Sequence, residues 1–388
     1  MIIQNASVYT EDGNFVNKDI YIANGYFVSD KATVRDGLIL DASGCYAIPG
    51  LTDIHFHGCM GQDFSDGTIE AIDVIASYEA SVGVTNIVPA TMTLPEDTLL
   101  NISRMAKDYM QQRHNSRKAR FQGINLEGPF IAKARKGAQN PDFIREPDLK
   151  LFDRLNEASG ECLKLLAIAP EANHAMEFIE KRHDRVVISL AHTCTDYDTA
   201  MTAFAKGACH VTHLYNAMNP YTHRSPGLIG AAADQENVTV ELICDGVHIH
   251  PATVRTTFKI FGDSRIILIS DSMRATGLSD GNYTLGGQEV KVTGNHAVLA
   301  DGTIAGSVTN LLDCMRTAVL KMGIPLESAV KCAAVNPAKR IGIYDRCGSI
   351  CAGKKADVIL LKKSDLTLKQ VIIEGILVSE VCNKIVSK

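Results

Sequence analysis

Short apolar segments alternate with helix-forming stretches through most of this 388-residue chain. Eight segments have the length and composition of buried strands: Ile48–His57, Asn86–Ala90, Gly123–Glu127, Leu163–Ala169, Val186–Ala191, His210–His213, Val238–Ile243 and Ile266–Ser270. Alternation of this kind predicts an α/β fold with a parallel sheet and helices packed on it. Eight strands favour closure into a (β/α)8 barrel of the TIM type. An open, doubly wound sheet alternates in the same way and remains the structural alternative.

Both ends of the chain read as short strands separated by turn residues. The segments are Ile2–Tyr9, Ile20–Ala23 and Tyr26–Val28 at one end, and Asp357–Leu361, Val371–Glu374 and Ile376–Val378 at the other. They predict a small discontinuous β-sandwich domain made of residues 1–47 plus 345–388. The barrel would then occupy residues 48–344, with a Gly-rich β insertion at about 281–304.

Composition excludes several classes of partner. Charged residues make up 21% of the chain and the formal net charge is −5. No basic excess suggests nucleic acid or an anionic membrane, and no apolar run has the length of a membrane span. The 11 cysteines occur without C-x-x-C pairs, which is typical of reduced thiols. We therefore expect a cytoplasmic enzyme that binds neither nucleic acid nor membrane.

Residues with metal-binding or acid–base side chains stand at the carboxyl ends of the predicted strands. Barrel enzymes place their catalytic groups at these ends. The residues are His55, His57, Glu127, His192, His213 and Asp271. A single buried His or a lone His-x-His pair is often structural, but the joint placement of six such residues favours one site. Imidazoles and carboxylates in this mixture suit a divalent ion such as Zn²⁺ or Fe²⁺.

These motifs, taken together, resemble those of the N-acetylglucosamine-6-phosphate deacetylases, which belong to the amidohydrolase superfamily. The resemblance covers nearly the whole chain and rests on His55-x-His57, the runs Asn125–Phe130, Ala191–Thr193 and Thr212–Met218, and the pair Ser270-Asp271. The run Thr-His-Leu-Tyr-Asn-Ala-Met is specific to this family, whereas His-x-His is common to the superfamily.

The resemblance implies a role for each matching position. Glu127, His192 and His213 would be the principal metal ligands, His55 and His57 would form a second metal site, and Asp271 would be the general base and acid. One or two divalent ions per subunit are implied, and Zn, Fe, Mn and Co are not distinguished. The implied contacts with a phosphorylated amino sugar are Ala138, Gln139, Asn216, Ala217, Arg224, Asp245, Gly246, Val247, His248, Ile304, Ala305 and Gly306. A homodimer is also implied, in which Arg224 and His248 reach the neighbour's site.

One position departs from the family pattern. Gln139 stands in the run Lys136–Asn140 where the family has a histidine that contacts substrate. Glutamine can still donate a hydrogen bond but has no titratable proton. The change is either a tolerated substitution or a sign of another substrate, such as a different N-acetylhexosamine 6-phosphate, a cyclic imide or a dipeptide. A non-catalytic scaffold is a further alternative, and Arg224 by itself is equally compatible with a surface residue.

Overall fold

The computed structural model describes residues 1–34, 37–112 and 117–378. Its strands are β1 Ile2–Tyr9, β2 Phe15–Ala23, β3 Tyr26–Val28, β4 Ile39–Asp41, β5 Cys45–Pro49, β6 Leu51–Asp53, β7 Gly58–Cys59, β8 Gln62–Asp63, β9 Val84–Ile87, β10 Arg120–Phe121, β11 Ile124–Leu126, β12 Leu163–Ile168, β13 Val187–Leu190, β14 His210–Val211, β15 Thr239–Ile243, β16 Ile266–Ile269, β17 Gly281–Leu285, β18 Gln288–Thr293, β19 His296–Val298, β20 Val358–Lys362, β21 Leu368–Ile373 and β22 Ile376–Val378.

The helices follow the strands in regular alternation through the middle of the chain. They are α1 Ile69–Ser81, α2 Glu96–Gln111, α3 Leu149–Ala158, α4 Ala175–Arg182, α5 Tyr197–Ala205, α6 Gly227–Asp234, α7 Pro251–Phe261, α8 Leu311–Leu320, α9 Leu326–Val330 and α10 Asn336–Arg340. None of these helices is long and apolar enough to span a lipid bilayer.

Parallel strands with intervening helices build the barrel. Strand β6 pairs with β9, and β9 pairs with β10. Strands β11 to β16 follow in one parallel sheet in chain order. Strands β10 and β11 are two parts of the third barrel strand, interrupted at Gly123, whose φ of 146° is accessible mainly to glycine. A parallel bridge between Ala90 and Asn125 continues the second-to-third pairing across this break.

The ring closes at the carboxyl ends of the first and eighth strands. The amide of Asp271 donates to the carbonyl of His55 (3.0 Å), and the amide of His57 donates to the carbonyl of Ser272 (2.7 Å). The Ser270 hydroxyl donates to Asp53 Oδ2 (2.6 Å). These bonds join the loop after β6 to the loop after β16. The expectation of a closed barrel is confirmed, and the open doubly wound alternative is excluded.

The barrel strands are apolar, as expected for a parallel sheet that is covered on both faces. All four residues of β16 (Ile-Ile-Leu-Ile) are buried, as are five of the six residues of β12. Strands covered on both faces are nearly continuous in apolar residues. One face packs against the helices in the largest apolar cluster, and the other surrounds a smaller cluster that includes Ile54, Leu165 and Ile267. The interior of the barrel is therefore a packed core, and the surface available for a functional site lies at the strand ends.

The terminal strands form one sheet that curls around its own core. Strand β5 pairs with β1 in parallel and with β20 in antiparallel orientation, so it joins the two ends of the chain. At the far edge, Phe27 donates its amide to the Lys354 carbonyl and Ala356 donates to Gly25. The division into residues 1–47 plus 345–388 and residues 48–344 stays a prediction, and residues 379–388 lie outside the described part of the chain.

The first predicted strand, Ile48–His57, is wrong as a single element. The chain leaves the end sheet after Pro49 and enters the barrel at Leu51. Gly50 lies at this transition, where a side chain would not fit because a Cβ would lie 2.2 Å from the Thr85 hydroxyl. The barrel strand ends at Asp53, so His55 and His57 follow it. Their common orientation arises from the loop and not from the pleat of a strand.

Three antiparallel strands occupy the Gly-rich stretch after β16. Strand β18 pairs with β17 and with β19, and Val298 forms a bridge with Ile304. The cluster beneath these strands contains Leu285, Val290 and Met92. The insertion thereby packs against the barrel beside the strand ends, where it can form one wall of a site.

Candidate metal centre and active site

Loops at the carboxyl ends of the barrel strands carry the predicted site residues. Glu127 follows β11 directly, whereas His192, His213 and Asp271 each stand two residues beyond a strand. These last three have φ values of 44°, 29° and 49°. Positive φ is uncommon for residues other than glycine and costs conformational energy. Three such residues around one point indicate that the fold holds them there at the expense of backbone strain.

Glu127, His192 and His213 form one compact group of potential ligands. The Nε2 atoms of His192 and His213 each lie 3.1 Å from Glu127 Oε1 and 3.2 Å from each other. His192 Nδ1 lies 2.8 Å from the carbonyl oxygen of Arg135. That bond requires the proton on Nδ1 and leaves the lone pair of Nε2 directed inward. Three acceptor atoms at this spacing are typical of a site for a divalent cation.

A second group lies on the other side of Glu127 and contains His55, His57 and Asp271. His55 Nε2 is 3.3 Å from Glu127 Oε1, and His57 Nε2 is 3.3 Å from Glu127 Oε2. His57 Nε2 is also 3.3 Å from Asp271 Oδ1. Each oxygen of Glu127 therefore faces a histidine of the second group. Glu127 would therefore be within reach of a cation held by either group.

Buried nitrogen atoms that lack a hydrogen-bond partner indicate whether a metal ion fits the site. Within residues 1–34, 37–112 and 117–378, His55 Nε2 and the Nδ1 atoms of His57 and His213 are buried and have no hydrogen-bond partner. A buried polar group without a partner is costly. A cation near Glu127 would satisfy His55 Nε2, and the imidazole and carboxylate donors are those that Zn²⁺, Fe²⁺, Mn²⁺ and Co²⁺ accept. The residues present fit a divalent metal.

The carboxylates of the site are held in their charged form. Burial opposes ionisation of Glu127, but His55, His192 and His213 outweigh it and hold the pKa of Glu127 well below its usual value. Burial also opposes ionisation of Asp271, whose pKa is nevertheless lowered by hydrogen bonding to His57. Burial disfavours the charged form of His57, but Asp271 and Glu127 raise its pKa to about 10. The negative field that attracts a proton to His57 would attract a metal cation equally.

Glu241 supports the second group and was not predicted from the sequence. This fully buried residue lies in β15, and its Oε2 is 2.9 Å from His55 Nδ1. It also accepts the backbone amide of His213 (3.1 Å). Burial would raise the pKa of Glu241, but the adjacent His55 keeps it well below its ordinary value. A carboxylate behind a ligating imidazole fixes the ring and its tautomer. A single glutamate within the apolar run Thr-Val-Glu-Leu-Ile was the signal that could have revealed it.

Both ligand groups open into a cavity of about 350 Å³. The predicted metal-site and substrate residues with acidic or imidazole side chains that line it are His57, Glu127, His192, His213, His248 and Asp271. Leu285, Thr303 and Ile304, from the insertion and the segment after it, also line the cavity. The volume is at the lower end of the range for small-molecule pockets, so a monosaccharide-sized ligand fits.

Sequence comparison places this architecture in a family. A family model described as "Amidohydrolase family" matches residues 46–378. The chain belongs to the amidohydrolase family. Members of this family hydrolyse amide bonds, and this chain has two buried groups of His, Glu and Asp side chains that could hold a metal ion. This chain is therefore a hydrolase.

Several amidohydrolases are similar to this chain in sequence as well as in fold. An N-acetylglucosamine-6-phosphate deacetylase from Bacillus subtilis is 38% identical over 316 residues, which cover 81% of this chain and 80% of that protein. An N-acetylgalactosamine-6-phosphate deacetylase from Escherichia coli O157:H7 is 32% identical over 385 residues, covering 97% and 99%. The solved structure of a mutant N-acetyl-D-glucosamine-6-phosphate deacetylase from Mycobacterium smegmatis, in complex with N-acetyl-D-glucosamine-6-phosphate, superposes with a TM-score of 0.90. It is 32% identical and covers 97% of this chain and 99% of that chain. The resemblance expected from the motifs is confirmed.

The structure separates the substrate contacts expected for such an amidohydrolase into two sets. Those that line the cavity are Ala138, Gln139, Asn216, Ala217, His248, Ile304 and Gly306. Those that do not are Arg224, Asp245, Gly246, Val247 and Ala305. Arg224 is exposed on the segment between β14 and α6. Lining residues that sequence reasoning missed are Met92, Ala134, Arg135, Gly137, Leu285 and Thr303.

Asp245 acts on the site through His248. Its Oδ2 lies 2.7 Å from His248 Nδ1, and its Oδ1 accepts the backbone amides of Val247 and His248. Burial opposes protonation of His248, but the hydrogen bond that its Nδ1–H donates to Asp245 raises its pKa. The aspartate thus fixes the imidazole with its Nε2 edge available to the cavity.

Gln139 contacts a ligand carboxylate as well as the cavity. This residue is buried, and its Nε2 donates to Glu127 Oε2 at 2.8 Å. Its Oε1 accepts the backbone amide of Thr93 at 2.6 Å. The bond from Thr93 fixes the orientation of the side-chain amide, since an amide N–H needs an acceptor. Gln139 therefore positions Glu127 in this chain, whatever it does for the substrate.

Proposed function

We propose that this amidohydrolase removes the N-acetyl group of N-acetylglucosamine 6-phosphate, giving glucosamine 6-phosphate and acetate. The observation that carries the proposal is the arrangement of Glu127 between two ligand groups, with Asp271 at the floor of a cavity sized for a monosaccharide. Relatives of this name from several organisms align with most of the chain. One similar structure contains the phosphorylated sugar itself.

Asp271 is the residue that moves the proton. Hydrolysis adds water across the amide, so one proton must leave the attacking water and one must reach the departing amine. Asp271 is ionised at neutral pH because its pKa lies below the ordinary value. It accepts the proton from water as the C–O bond forms and returns it to the nitrogen as the C–N bond breaks. Acetate and a free amine result, and Asp271 ends in its starting state.

The remaining residues would hold the metal ion and the substrate. Glu127, His192 and His213 would hold one metal ion, with His55 and His57 available for a second. A bound divalent ion supplies Lewis acidity toward the acetyl carbonyl and lowers the pKa of water to ~7. His248, fixed by Asp245, can donate to a sugar hydroxyl. The number of ions, one or two per subunit, is part of this proposal.

A homodimer with a shared site and a cytoplasmic location complete the proposal. Arg224 is exposed on the segment that follows Asn216 and Ala217, and Tyr221 beside it is 57% exposed. An arginine on such a surface can serve the cavity of a second subunit. The measured molecular mass in solution tests the assembly, and a monomeric active enzyme would exclude a shared site.

Acetate release by the purified, metal-loaded protein tests the function. The substrates are the 6-phosphates of N-acetylglucosamine, N-acetylgalactosamine and N-acetylmannosamine, with unphosphorylated N-acetylglucosamine as the reference. We expect the glucosamine 6-phosphate to be hydrolysed with the highest kcat/KM. Failure to hydrolyse any of them with metal bound would refute the acetyl-sugar assignment and leave the barrel and its ligands intact.

N-acetylgalactosamine 6-phosphate is the second candidate substrate. The relative from Escherichia coli O157:H7 with this specificity covers a larger share of the chain than the Bacillus subtilis relative does. Gln139, which replaces the histidine expected at that position, also lines the cavity. A higher kcat/KM for the galactosamine 6-phosphate in the same assay would establish this candidate in place of the first.

A further inference from the structure

The interior of the barrel contains a buried histidine that has no part in the proposed mechanism. His210 begins β14 and is 0% exposed. Its partner in the neighbouring strand β15 is Thr239. Side chains alternate along β15, so Thr239 and Glu241 share a face with Ile243, which belongs to the apolar cluster inside the barrel. A polar group that includes His210 therefore lies within the barrel beneath the ligand groups.

A chain of hydrogen bonds leads from Thr239 through His210 and Glu241 to His55. The Thr239 hydroxyl lies 2.6 Å from His210 Nδ1, and His210 Nε2 lies 3.0 Å from Glu241 Oε1. Burial lowers the pKa of His210 in spite of the adjacent Glu241, so the ring is neutral and carries one proton. A carboxylate only accepts, which assigns that proton to Nε2 and makes the Thr239 hydroxyl the donor to Nδ1.

The two oxygens of Glu241 are divided between two imidazole rings. Because His210 donates to Oε1, Oε2 is left to His55 Nδ1 (2.9 Å) and to the His213 amide (3.1 Å). The bond to Oε2 requires a proton on His55 Nδ1. His55 Nε2 then faces Glu127 Oε1 at 3.3 Å, and two acceptor atoms at that distance need a proton or a metal ion between them.

Stability alone does not account for a histidine and a glutamate inside the barrel. Both His210 and Glu241 are 0% exposed. Desolvation of a buried charge is costly, and well-packed apolar residues in place of such a pair are often neutral or stabilising. A polar network whose members are all hydrogen-bonded instead fixes one arrangement of its side chains. The arrangement fixed here ends at His55 Nε2, in the second ligand group.

We propose that His210 is a positioning residue for the second metal ion. Its Nε2–H holds Glu241 Oε1, which keeps Oε2 on His55 Nδ1 and leaves His55 Nε2 free to bind the ion. Thr239 contributes by holding His210 in the tautomer that donates to Glu241. The inference rests on the proposed function, because the second ion is part of it, and it adds a residue that touches neither the ion nor the substrate.

Two substitutions of His210 separate its bond to Glu241 from its bond to Thr239. The side-chain amide of glutamine reaches the position of Nε2, whereas that of asparagine reaches only the position of Nδ1. His210→Asn should weaken binding of the second ion by about 10-fold, the lower end of the range for residues behind a ligand. The first ion should bind as in the wild type, and His210→Gln should recover most of the affinity for the second.

Stepwise removal of Co²⁺ from the fully loaded protein by a chelator measures both affinities. The visible absorption of bound Co²⁺ and elemental analysis follow the two ions. No substrate is present, so the result does not depend on which amide the enzyme hydrolyses. A wild-type protein that binds a single Co²⁺ would overturn the inference even if it released acetate from the phosphorylated sugar.

His174→Asn is the matched control, because His174 is exposed, does not line the cavity and has a φ of 65° that asparagine adopts readily. It should leave both affinities unchanged. Equal losses in His210→Asn and His210→Gln would overturn the proposal, since His210 would then only fill space in the core. Wild-type affinity in His210→Asn, or equal weakening of both ions, would overturn it as well.

Thr239→Val tests the same chain if His210→Asn does not fold. Valine keeps the shape of the side chain and removes only the donor to His210 Nδ1. We expect the second ion to be released at a lower chelator concentration than in the wild type, and the first ion at the same concentration. Unchanged release of the second ion would overturn the proposal.

Discussion

The two ligand groups on either side of Glu127 differ in how they are supported. Glu127, His192 and His213 meet through three contacts of 3.1–3.2 Å, and His192 is oriented by a backbone carbonyl. The second group has longer contacts of 3.3–3.8 Å with Glu127 and Asp271. Its His55 is oriented by the side chain of Glu241, and in the proposed mechanism its Asp271 also moves a proton. Under that proposal the first group only holds an ion, whereas the second combines holding an ion with catalysis.

Glu127 belongs to the first group and also contacts both histidines of the second, so its substitution should have the largest effect. In Glu127→Gln, the anionic ligand that both groups share is lost. We expect loss of bound metal and a fall in kcat greater than about 10⁴-fold, the upper range for a general base alone. Elemental analysis together with acetate release measures both. Full metal content in this variant would show that Glu127 is not the shared ligand.

Substitution of Asp271 should lower the reaction rate without releasing the metal ion. Asp271→Asn keeps the shape but cannot accept a proton. We expect kcat to fall by about 10²- to 10⁴-fold while the metal of the first group is retained. Steady-state kinetics and metal analysis on one preparation give the answer. A variant that keeps full turnover would remove Asp271 from the mechanism.

Gln139 should affect both groups moderately because it acts through Glu127. Gln139→Met keeps the size of the side chain and removes both hydrogen bonds, to Glu127 and from Thr93. Loss of a residue that orients a ligand weakens metal binding by roughly 10- to 100-fold. Competition with a chelator measures the affinity directly. Gln122→Met is the control, since Gln122 donates to Asn86 in the barrel away from the ligands, and an equal effect there would point to general destabilisation.

Glu241 should affect the second group more than the first, because it contacts the ring of His55 but only the backbone amide of His213. Glu241→Gln removes the charge behind His55 and leaves the carbonyl behind His192 in place. We expect about 10- to 100-fold weaker binding at the second group and a smaller loss at the first, because the side-chain oxygen of glutamine can still accept the His213 amide. A titration that follows the two stoichiometric steps resolves them. Equal weakening of both steps would mean that the groups are not independent.

The residue types at the strand ends determine how much of the fold and of the site could be predicted from the sequence. Six reactive residues after apolar strands and the specific run Thr212–Met218 were enough to identify the barrel and the family, and the metal ligands that they suggest stay a prediction. Arg135, Met92 and Thr303 were missed because their positions in the cavity depend on long-range packing of loops. No local pattern distinguishes such an arginine from a solvent-exposed one. Gly50 was missed for a related reason, since its role depends on contact with Thr85.

Strand β5 has a consequence for the order in which the chain can be assembled. It leads directly into the first barrel strand, yet it pairs along its whole length with β20. On the ribosome, residues 45–49 are synthesised more than 300 residues before their partner at 358–362. Pairings of such sequence separation form late because loop closure costs entropy. Formation of β20, and not completion of the eight barrel strands, is therefore the step that allows the end sheet to close around β5.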